Sequence, residues 1–425
     1  MLMQFIDGGV TAPTGFRANG MLCGIKAGRT KNDTALIFSE KPCAVAGVFT
    51  KNRVQAESVK RTRKNIENGV AQAVIANSGI ANACTGEQGA QAALRMAQAV
   101  AQEMNISADD VIVCSTGVIG QQLPVEKIEA NIHTLATGLS KDGHKEARVA
   151  IMTTDTHYKE CALEAMIGGK TVKLGTMAKG SGMIHINLGT MLGFITTDCA
   201  ISAAMLEKAL RESVEGTYNC VSVDGDTSTN DTLTILANGM AGNAEIRAEG
   251  KDYDDFLAAL NALNTQMARK IAGDGEGATR LITCNVTGAV DVPTARALAK
   301  SVISSNLTKA AFFGRDANWG RILCALGYSG EYFTPEKCCI YLESVHGEQR
   351  PGATDAIGEA QGEKKSIQVF DHGTPIVFDE VLAKEILSED AVTVNVTLED
   401  GDASGTAWGC DLTYDYVKIN GDYRS

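Results

Sequence analysis

Seven segments of the chain combine glycines with hydroxyl, carboxyl, amide or amine side chains, and these are the residues best suited to chemistry. They are NSGIANACTG (77–86), STGVIG (115–120), MTTDT (152–156), KGSGMIHINLGTMLGFITTD (179–198), GDGEGAT (273–279), GRDANWGRI (314–322) and KINGDYRS (418–425). Taken singly, each segment is typical of a turn or a strand end. Their joint occurrence along nearly the whole chain favours a functional site.

Several familiar site patterns are excluded. The segment DGDTSTND (224–231) is similar to a calcium loop, but Thr229 and Ile235 stand where that loop needs Gly and Glu. No GxxxxGK[ST] run is present, GDGEGA lacks the GxGxxG register, and KGSGM is not the GxSxG of a nucleophile elbow. The six histidines show no paired ligand spacing, so the sequence predicts no metal site.

Alternating short apolar runs and amphipathic segments must position these residues. The apolar runs predict strands at 43–49, 71–77, 110–116, 191–197, 280–286, 337–343 and 391–398. The periodic segments predict helices at 89–104, 124–139, 202–216 and 254–271. This mixture indicates an α/β or α+β fold with layered packing. The polar segment 346–365 lacks periodicity and predicts a mobile surface loop between two strands.

Composition narrows the class of protein further. The 425 residues carry a net charge of −12, which disfavours binding to nucleic acid or to an anionic membrane. The longest basic run, at 60–64, predicts a solvated loop or helix face. No apolar stretch is long enough to span a membrane, and no signal peptide is present, so we expect a cytoplasmic protein. The twelve cysteines are expected to be mostly small buried side chains.

The seven motifs, in this order, resemble the ornithine acetyltransferase family, the glutamate N-acetyltransferases of arginine biosynthesis. The most specific match is KGSGM followed by GTML, where the family cuts itself before a threonine, here the Gly189–Thr190 bond. The chain departs from the family at Gly189, where Ala is common, at 185–187, where His-Pro-Asn is common, and at Ile80, where Asn is usual.

The resemblance implies an α/β fold of the αββα sandwich type, similar to N-terminal-nucleophile hydrolases, with a smaller C-terminal lobe. It implies an alpha chain of residues 1–189 and a beta chain of residues 190–425, assembled as a heterotetramer with two copies of each. The implied reaction moves the acetyl group of N-acetyl-ornithine to glutamate through an acetyl-Thr190 intermediate. No cofactor is implied, although acetyl-CoA serves some members as a co-substrate.

The implied catalytic group is an N-terminal threonine that carries its own base. An α-amine has an ordinary pKa of about 7.7–8.0, against about 10.4 for a lysine amine, so we expect the Thr190 amine to act as the base. Lys179 is then a substrate-binding or electrostatic residue. The resemblance also assigns the oxyanion hole to the Thr116 hydroxyl and the Gly117 N–H, two donors aimed at developing negative charge.

The resemblance assigns the substrate contacts to six positions: Thr153, Lys179, Thr190, Glu276, Asn420 and Ser425. From charge alone, Lys179 suits the α-carboxylate of the substrate and Glu276 suits the side-chain amine of ornithine. Ser425 stands where the family often has Thr and keeps the hydroxyl. Two alternatives stay open from the sequence: an autoprocessed amidase or aminopeptidase in which water replaces glutamate, and an uncleaved protein that binds acetylated amino acids.

Overall fold

The computed structural model describes residues 2–185, 191–351 and 362–421. Its strands are β1 (Met3–Ile6), β2 (Phe16–Met21), β3 (Thr34–Phe49), β4 (Val70–Asn77), β5 (Val111–Ser115), β6 (Lys159–Ile167), β7 (Lys170–Lys179), β8 (Ile184–His185), β9 (Leu192–Thr197), β10 (Ser222–Thr227), β11 (Thr232–Ala237), β12 (Leu281–Ala289), β13 (Cys339–Val345), β14 (Lys364–Asp371), β15 (Thr374–Pro375), β16 (Ala391–Thr397) and β17 (Ala403–Cys410). Its α-helices are α1 (Glu57–Asn65), α2 (Gly86–Met104), α3 (Val125–Thr137), α4 (His144–Ala150), α5 (Ala203–Gly216), α6 (Lys251–Gly273), α7 (Val292–Ser304), α8 (Asn306–Gly314), α9 (Trp319–Gly327), α10 (Glu380–Ile386) and α11 (Tyr414–Asn420).

The chain divides into two compact units. Unit 1 contains Met1–Gly180, Asn187–Glu215 and Thr227–Met267, and unit 2 contains Ser181–Ile186, Gly216–Asp226 and Ala268–Ser425. Each unit thus draws on both sides of the Gly189–Thr190 bond. These compact units differ from the alpha and beta chains, which are the two fragments expected from cleavage of that bond. The division into alpha and beta chains stays a prediction.

Unit 1 is built on a large mixed sheet. Among the described residues it has nine strands, in the order β1-β6-β7-β9-β11-β3-β4-β5, with β2 paired to β3. β9 and β11 run parallel, as do β4 and β5, while β3 is antiparallel to both β11 and β4. This order places β5, which leads into STGVIG, beside β4, which leads into NSGIANACTG.

Both faces of the β3–β4–β5 region are buried, because successive strand residues point to opposite faces. Ile75 packs with Met96 and Val100 of α2 in one apolar cluster, whereas the neighbouring Val74 packs with Ala150 of α4 in another. Such two-sided burial explains why the strand at 71–77 reads as a continuous apolar run rather than an alternating one. Packing on both faces therefore holds in place the ends of β4 and β5, where the polar motifs begin.

Unit 2 contains a second sheet. Its six described strands follow the order β15-β14-β13-β16-β12-β17, and β12 pairs with β16 in parallel and with β17 antiparallel. A cap begins α7, since the Asp291 carboxylate accepts a hydrogen bond from the Thr294 N–H, with Pro293 in the first turn. A short two-stranded sheet of β8 and β10 also belongs mainly to this unit.

The structure confirms the mixed α/β class. Every predicted strand and helix is present, with bounds that differ by a few residues except at β3, which extends nine residues further towards the N-terminus than predicted. The basic run at 60–64 lies on α1, as a helix face. Of the predicted loop 346–365, residues 352–361 lie outside the described residues, and β14 begins at Lys364.

Candidate active site

Thr116 and Gly117 follow directly from the end of β5 in unit 1. The backbone of Thr116 is held by its N–H, which donates to the carbonyl of Asn77 at 3.0 Å. Gly117 has a φ of +130°, and a Cβ there would meet the carbonyl carbon of Gly79 at 2.2 Å. Only glycine therefore fits. Among the described residues, neither the Thr116 hydroxyl nor the Gly117 N–H has a hydrogen-bond acceptor, so both donors remain available to a ligand.

The buried side-chain amide of Asn230 stabilises this turn. Asn230 donates from Nδ2 to the carbonyl of Ser115 at 2.7 Å and to the carbonyl of Ala81 at 2.6 Å. Its own Oδ1 accepts from the Thr229 hydroxyl. Asn230 therefore ties the end of β5 to the NSGIANACTG segment, a role that the sequence analysis missed because the three residues are far apart in the chain.

Asp155 organises two of the predicted substrate contacts. Its carboxylate accepts from the Thr153 N–H at 3.0 Å, from the Gly180 N–H at 2.8 Å and from the Lys159 ammonium at 2.7 Å. Burial alone would raise the pKa of Asp155, but Lys159, Lys179 and the Gly180 N–H together hold that pKa well below its usual range. A fully buried carboxylate thus links MTTDT to the start of KGSGM.

Asp231 is a second buried carboxyl near Lys179, and its environment has the opposite effect. Burial raises the pKa of Asp231 well above its ordinary value, although the Ser228 hydroxyl and the Lys179 ammonium oppose this. The backbone N–H of Met191, the residue after Thr190, also opposes the rise in the pKa of this carboxyl. One carboxylate oxygen, Oδ2, has no partner among the described residues. Asp231 is therefore a candidate site residue, which the sequence analysis considered only as part of the excluded calcium-like segment.

In unit 2, Glu276 and Asn420 come together as predicted substrate contacts. The Asn420 amide donates to the Glu276 carboxylate at 2.7 Å. The backbone N–H of Glu276 donates to the carbonyl of Ser181 at 3.0 Å. A Cβ on Gly182 would lie 2.2 Å from a Glu276 carboxylate oxygen, so this glycine lets the motif approach the carboxylate. The Glu276 side chain is buried yet negatively charged, which suits a cationic ligand group.

The segment before the predicted cut is anchored by Asp224. Both of its carboxylate oxygens accept backbone N–H groups, from Met183 at 2.6 Å and from Ile184 at 2.8 Å. His185 follows, with Nδ1 3.0 Å from the Ser222 hydroxyl. Burial, reinforced by the Lys300 charge, lowers the pKa of His185 to about 4, so its imidazole is neutral at pH 7. The discarded calcium-like segment therefore supplies a backbone anchor.

Within each unit, the structure brings some predicted site residues together. Thr153 and Lys179 meet around Asp155 in unit 1, where Thr116 and Gly117 form their own turn, and Glu276 meets Asn420 in unit 2. Gly189, Thr190 and Ser425 lie outside the described residues. Their roles stay predictions.

The motif GRDANWGRI joins two helices. Arg315 ends α8 in the left-handed conformation, and Asn318 caps α9 by accepting from the Arg321 N–H.

The cysteines are free thiols, and all but Cys84 and Cys324 are buried, as expected from the sequence. Across the described ranges, no helix has the combination of length and apolarity needed to cross a bilayer.

Comparison with known proteins defines the class of this protein. The model of the ArgJ family matches residues 17–425. The chain therefore belongs to the ArgJ family, which confirms the family resemblance found in the motifs and makes the protein an enzyme of that family.

Comparison with individual members of the family shows which proteins the chain is similar to. It is 49% identical over 424 residues to the arginine biosynthesis bifunctional protein ArgJ of Symbiobacterium thermophilum, and 47% identical over 423 residues to that of Caldanaerobacter subterraneus, with both chains fully covered in each case. Among solved structures, the ornithine acetyltransferase of Mycobacterium tuberculosis complexed with ornithine is 43% identical over 43% of this chain and 97% of that chain, with a TM-score of 0.41.

Proposed function

We propose that this protein is an autoprocessed acetyltransferase of arginine biosynthesis that moves the acetyl group of N-acetyl-ornithine to glutamate. The observation that carries the proposal is the family match over residues 17–425, which includes all seven motifs. In the first half-reaction the Thr190 hydroxyl attacks the acetyl carbonyl, ornithine leaves and acetyl-Thr190 forms. In the second, the amine of glutamate attacks this ester and N-acetyl-glutamate leaves, which restores Thr190.

Cleavage of the Gly189–Thr190 bond creates the base that this reaction needs. The new α-amine of Thr190 takes the proton of the Thr190 hydroxyl as it attacks and returns a proton to the departing amine. Base and nucleophile then belong to one residue, so their geometry is set by covalent structure. This supports Lys179 as an electrostatic rather than a proton-transferring residue.

The Thr116 hydroxyl and the Gly117 N–H are suited to stabilise the tetrahedral intermediates. Both donors lack an acceptor among the described residues, and Asn230 fixes the turn that carries them. Preorganised donors of this kind cost no reorganisation during the reaction, and the loss of one typically lowers kcat by about 10²- to 10³-fold. The rigidity of the turn therefore supports the oxyanion-hole assignment.

Two charged side chains fit the two ends of ornithine. Lys179 is a buried cation suited to the α-carboxylate, and Glu276 is a buried carboxylate suited to the side-chain ammonium. Asn420 donates to one carboxylate oxygen of Glu276, and among the described residues the other oxygen has no hydrogen-bond donor, so it can accept from the ligand. Thr153 and Ser425 complete the set of substrate contacts that we propose.

The family assignment also supports a proposal for the assembly and the cellular setting. We propose two copies each of residues 1–189 and 190–425, working in the cytoplasm. Acyl transfer through Thr190 needs no metal or organic cofactor, since the nucleophile, base and oxyanion donors all come from the chain. The relatives are named bifunctional, so acetyl-CoA is a second donor to be tested with glutamate as acceptor.

Steady-state kinetics with acetyl-labelled N-acetyl-ornithine test this proposal. We expect label to appear in N-acetyl-glutamate with parallel double-reciprocal plots, the pattern of a ping-pong route. Thr190→Ala should abolish transfer, while Thr171→Ala, the same change at an exposed strand position, should leave it unchanged. Transfer that persists in Thr190→Ala, or acetate release that matches transfer in the absence of glutamate, would contradict the proposal.

A further inference from the structure

A group of side chains with metal-ligating atoms lies in unit 2, and it includes none of the residues proposed for acyl transfer. Cys339 begins β13, and Asp371 and His372 lie at the end of the neighbouring strand β14. The Cys339 Sγ is 3.4 Å from the Asp371 Oδ1 and 3.5 Å from the His372 Nδ1. Among the described residues, this is the one group of three such side chains whose ligand atoms converge within 4.8 Å.

The backbone places His372 in an unusual conformation to make this contact. His372 and Gly373 occupy the two central positions of the tight turn between β14 and β15, with φ of +40° and +76°. Turns with positive φ at both positions favour Asn followed by Gly, and a histidine at the first position is less common. The turn holds the imidazole beside the Cys339 thiol, which is buried, while the imidazole itself remains half exposed.

The spacing of the three atoms suits a single tetrahedral ion. Zn²⁺ binds sulfur at about 2.3 Å and nitrogen or oxygen at about 2.0–2.2 Å, which separates the sulfur from either of the other ligands by about 3.5 Å. Both sulfur distances in the structure agree with this value. The Asp371 Oδ1 and the His372 Nδ1 are closer, at 2.7 Å, and must separate by about 0.7 Å, which two partly exposed side chains permit.

Groups around these three side chains are arranged to orient them. The other ring nitrogen of His372, Nε2, is 3.4 Å from the Glu399 carboxylate. A ligating histidine commonly donates its second N–H to a carboxylate in this way, which fixes its tautomer. The Gln368 amide donates to the Asp371 Oδ1 at 2.8 Å. Both partners supply the outer support that protein metal sites need.

We propose that Cys339, Asp371 and His372 bind one Zn²⁺, with solvent at the fourth position. Binding releases the thiol proton of Cys339 to solvent and leaves the imidazole proton on Nε2, facing Glu399. The thiolate and the carboxylate then balance the two positive charges of the ion. A thiolate and an imidazole select zinc-like ions over Mg²⁺ or Ca²⁺, which prefer oxygen ligands.

Cobalt spectroscopy on the full-length protein tests this site, because Co²⁺ replaces Zn²⁺ and reports thiolate ligation directly. After removal of bound metal with a chelator, titration with Co²⁺ should give a thiolate-to-cobalt charge-transfer band that saturates at one ion per chain. Zn²⁺ added afterwards should bleach the band. The same titration on Cys339→Ser should give no band, whereas Cys324→Ser, an exposed cysteine outside the group, should behave like the parent.

Two more variants separate ligation from general folding effects. His372→Asn keeps a residue favoured at positive φ but removes the ligating nitrogen, and Glu399→Gln removes only the carboxylate behind it. We expect Co²⁺ affinity to fall at least about 100-fold in His372→Asn and about 10- to 100-fold in Glu399→Gln. His346→Gln, at an exposed histidine also paired with a glutamate, is the matched control.

All five variants should retain the acetyl transfer of the parent, which shows that they fold. A band that survives Cys339→Ser, or Co²⁺ affinity that is the same in His372→Asn and the parent, would overturn the proposal. So would the absence of a thiolate band in the parent, because the three side chains would then form only the hydrogen bonds of the turn.

Discussion

Substitution of Asp155 by Asn should weaken both the fold of unit 1 and the substrate site within it. The change keeps the shape of the side chain and removes its charge. The carboxylate now accepts hydrogen bonds from Thr153, Gly180 and Lys159, and an amide with a single acceptor oxygen cannot serve all three. The predicted contacts Thr153 and Lys179 should therefore lose their relative position.

The expected cost follows from the complete burial of the pair. Asp155 and Lys159 have side-chain exposures of 0% each, so the ion pair is hardly screened by solvent. Breaking a buried pair of this kind costs about 3–5 kcal/mol, which includes the desolvation of a backbone N–H left without its acceptor. At about 2 °C per kcal/mol for a unit of this size, the Tm should fall by about 6–10 °C.

Thermal unfolding at pH 7, followed by calorimetry, measures this cost against a matched control. Asp142→Asn makes the same change at an exposed ion pair with Lys145 and should move the Tm by only about 1 °C. Transfer kinetics well below the Tm of the variant should show a reduced kcat/KM. If Asp155→Asn unfolds within about 1 °C of the parent, the reasoning about this buried carboxylate is refuted.

The pH dependence of the Tm of Asp155→Asn tests whether the pKa of Asp155 is lowered in the folded protein. The pKa of Asp155 is held below its ordinary 3.8 in the folded protein, so its contribution is present above that pH and is lost as the pH falls towards the folded value. The difference in Tm between the parent and Asp155→Asn should therefore be full at pH 5–7 and shrink below about pH 4.

Three other substitutions probe the remaining parts of the site. Gly117→Ala should lower kcat by about 10²- to 10³-fold because the Cβ would collide with the Gly79 backbone, whereas Gly120→Ala, at a φ of +82° with open space around the Cβ, should retain transfer. Asp231→Asn should become more stable relative to the parent as the pH rises above 3.8, because the raised pKa of Asp231 makes the parent lose stability through that range. Melting curves from pH 4 to 8 measure this difference in Tm. They would show the opposite trend if burial did not control this carboxyl. Glu276→Gln should lower kcat/KM for N-acetyl-ornithine by about 10- to 100-fold, while Glu348→Gln, at a partly exposed pair with Arg269, should not. Equal kinetics of the two variants would exclude Glu276 as the ammonium contact.

The sequence predicts several of the elements that carry the site, including β4, β5 and β9, but it does not predict β7, which carries Lys179, or α11, which carries Asn420. Strands such as β4, β5 and β9 are buried on both faces, and their continuous apolar runs are the strongest signal of this kind. Strands with a solvated face, such as β14, and the short helices α8 and α9 have weak patterns. These elements were missed because a strand with several polar residues, or a helix of nine residues and about two and a half turns, carries little periodicity.

The contacts that hold the site together could not be predicted in the same way. Asn230 bonds to Ser115 across 115 residues of sequence, and Cys339 meets His372 across 33. Such contacts depend on strand order and register, which a single sequence does not specify. The family motifs indicated Thr116, Gly117 and Glu276. Asp155 lies within the MTTDT motif and Asp231 within the excluded calcium-like segment, but neither position had a sequence signal of its own for a buried carboxyl.

Intact mass spectrometry of the purified protein tests the central claim most directly. Cleavage at Gly189–Thr190 divides the 44.8 kDa chain into fragments of about 20 kDa and about 25 kDa. With N-acetyl-ornithine and no glutamate, the larger fragment should gain the mass of one acetyl group at Thr190 and lose it when glutamate is added. A single uncut chain with full transfer activity, or an acetyl group on any other residue, would contradict this mechanism.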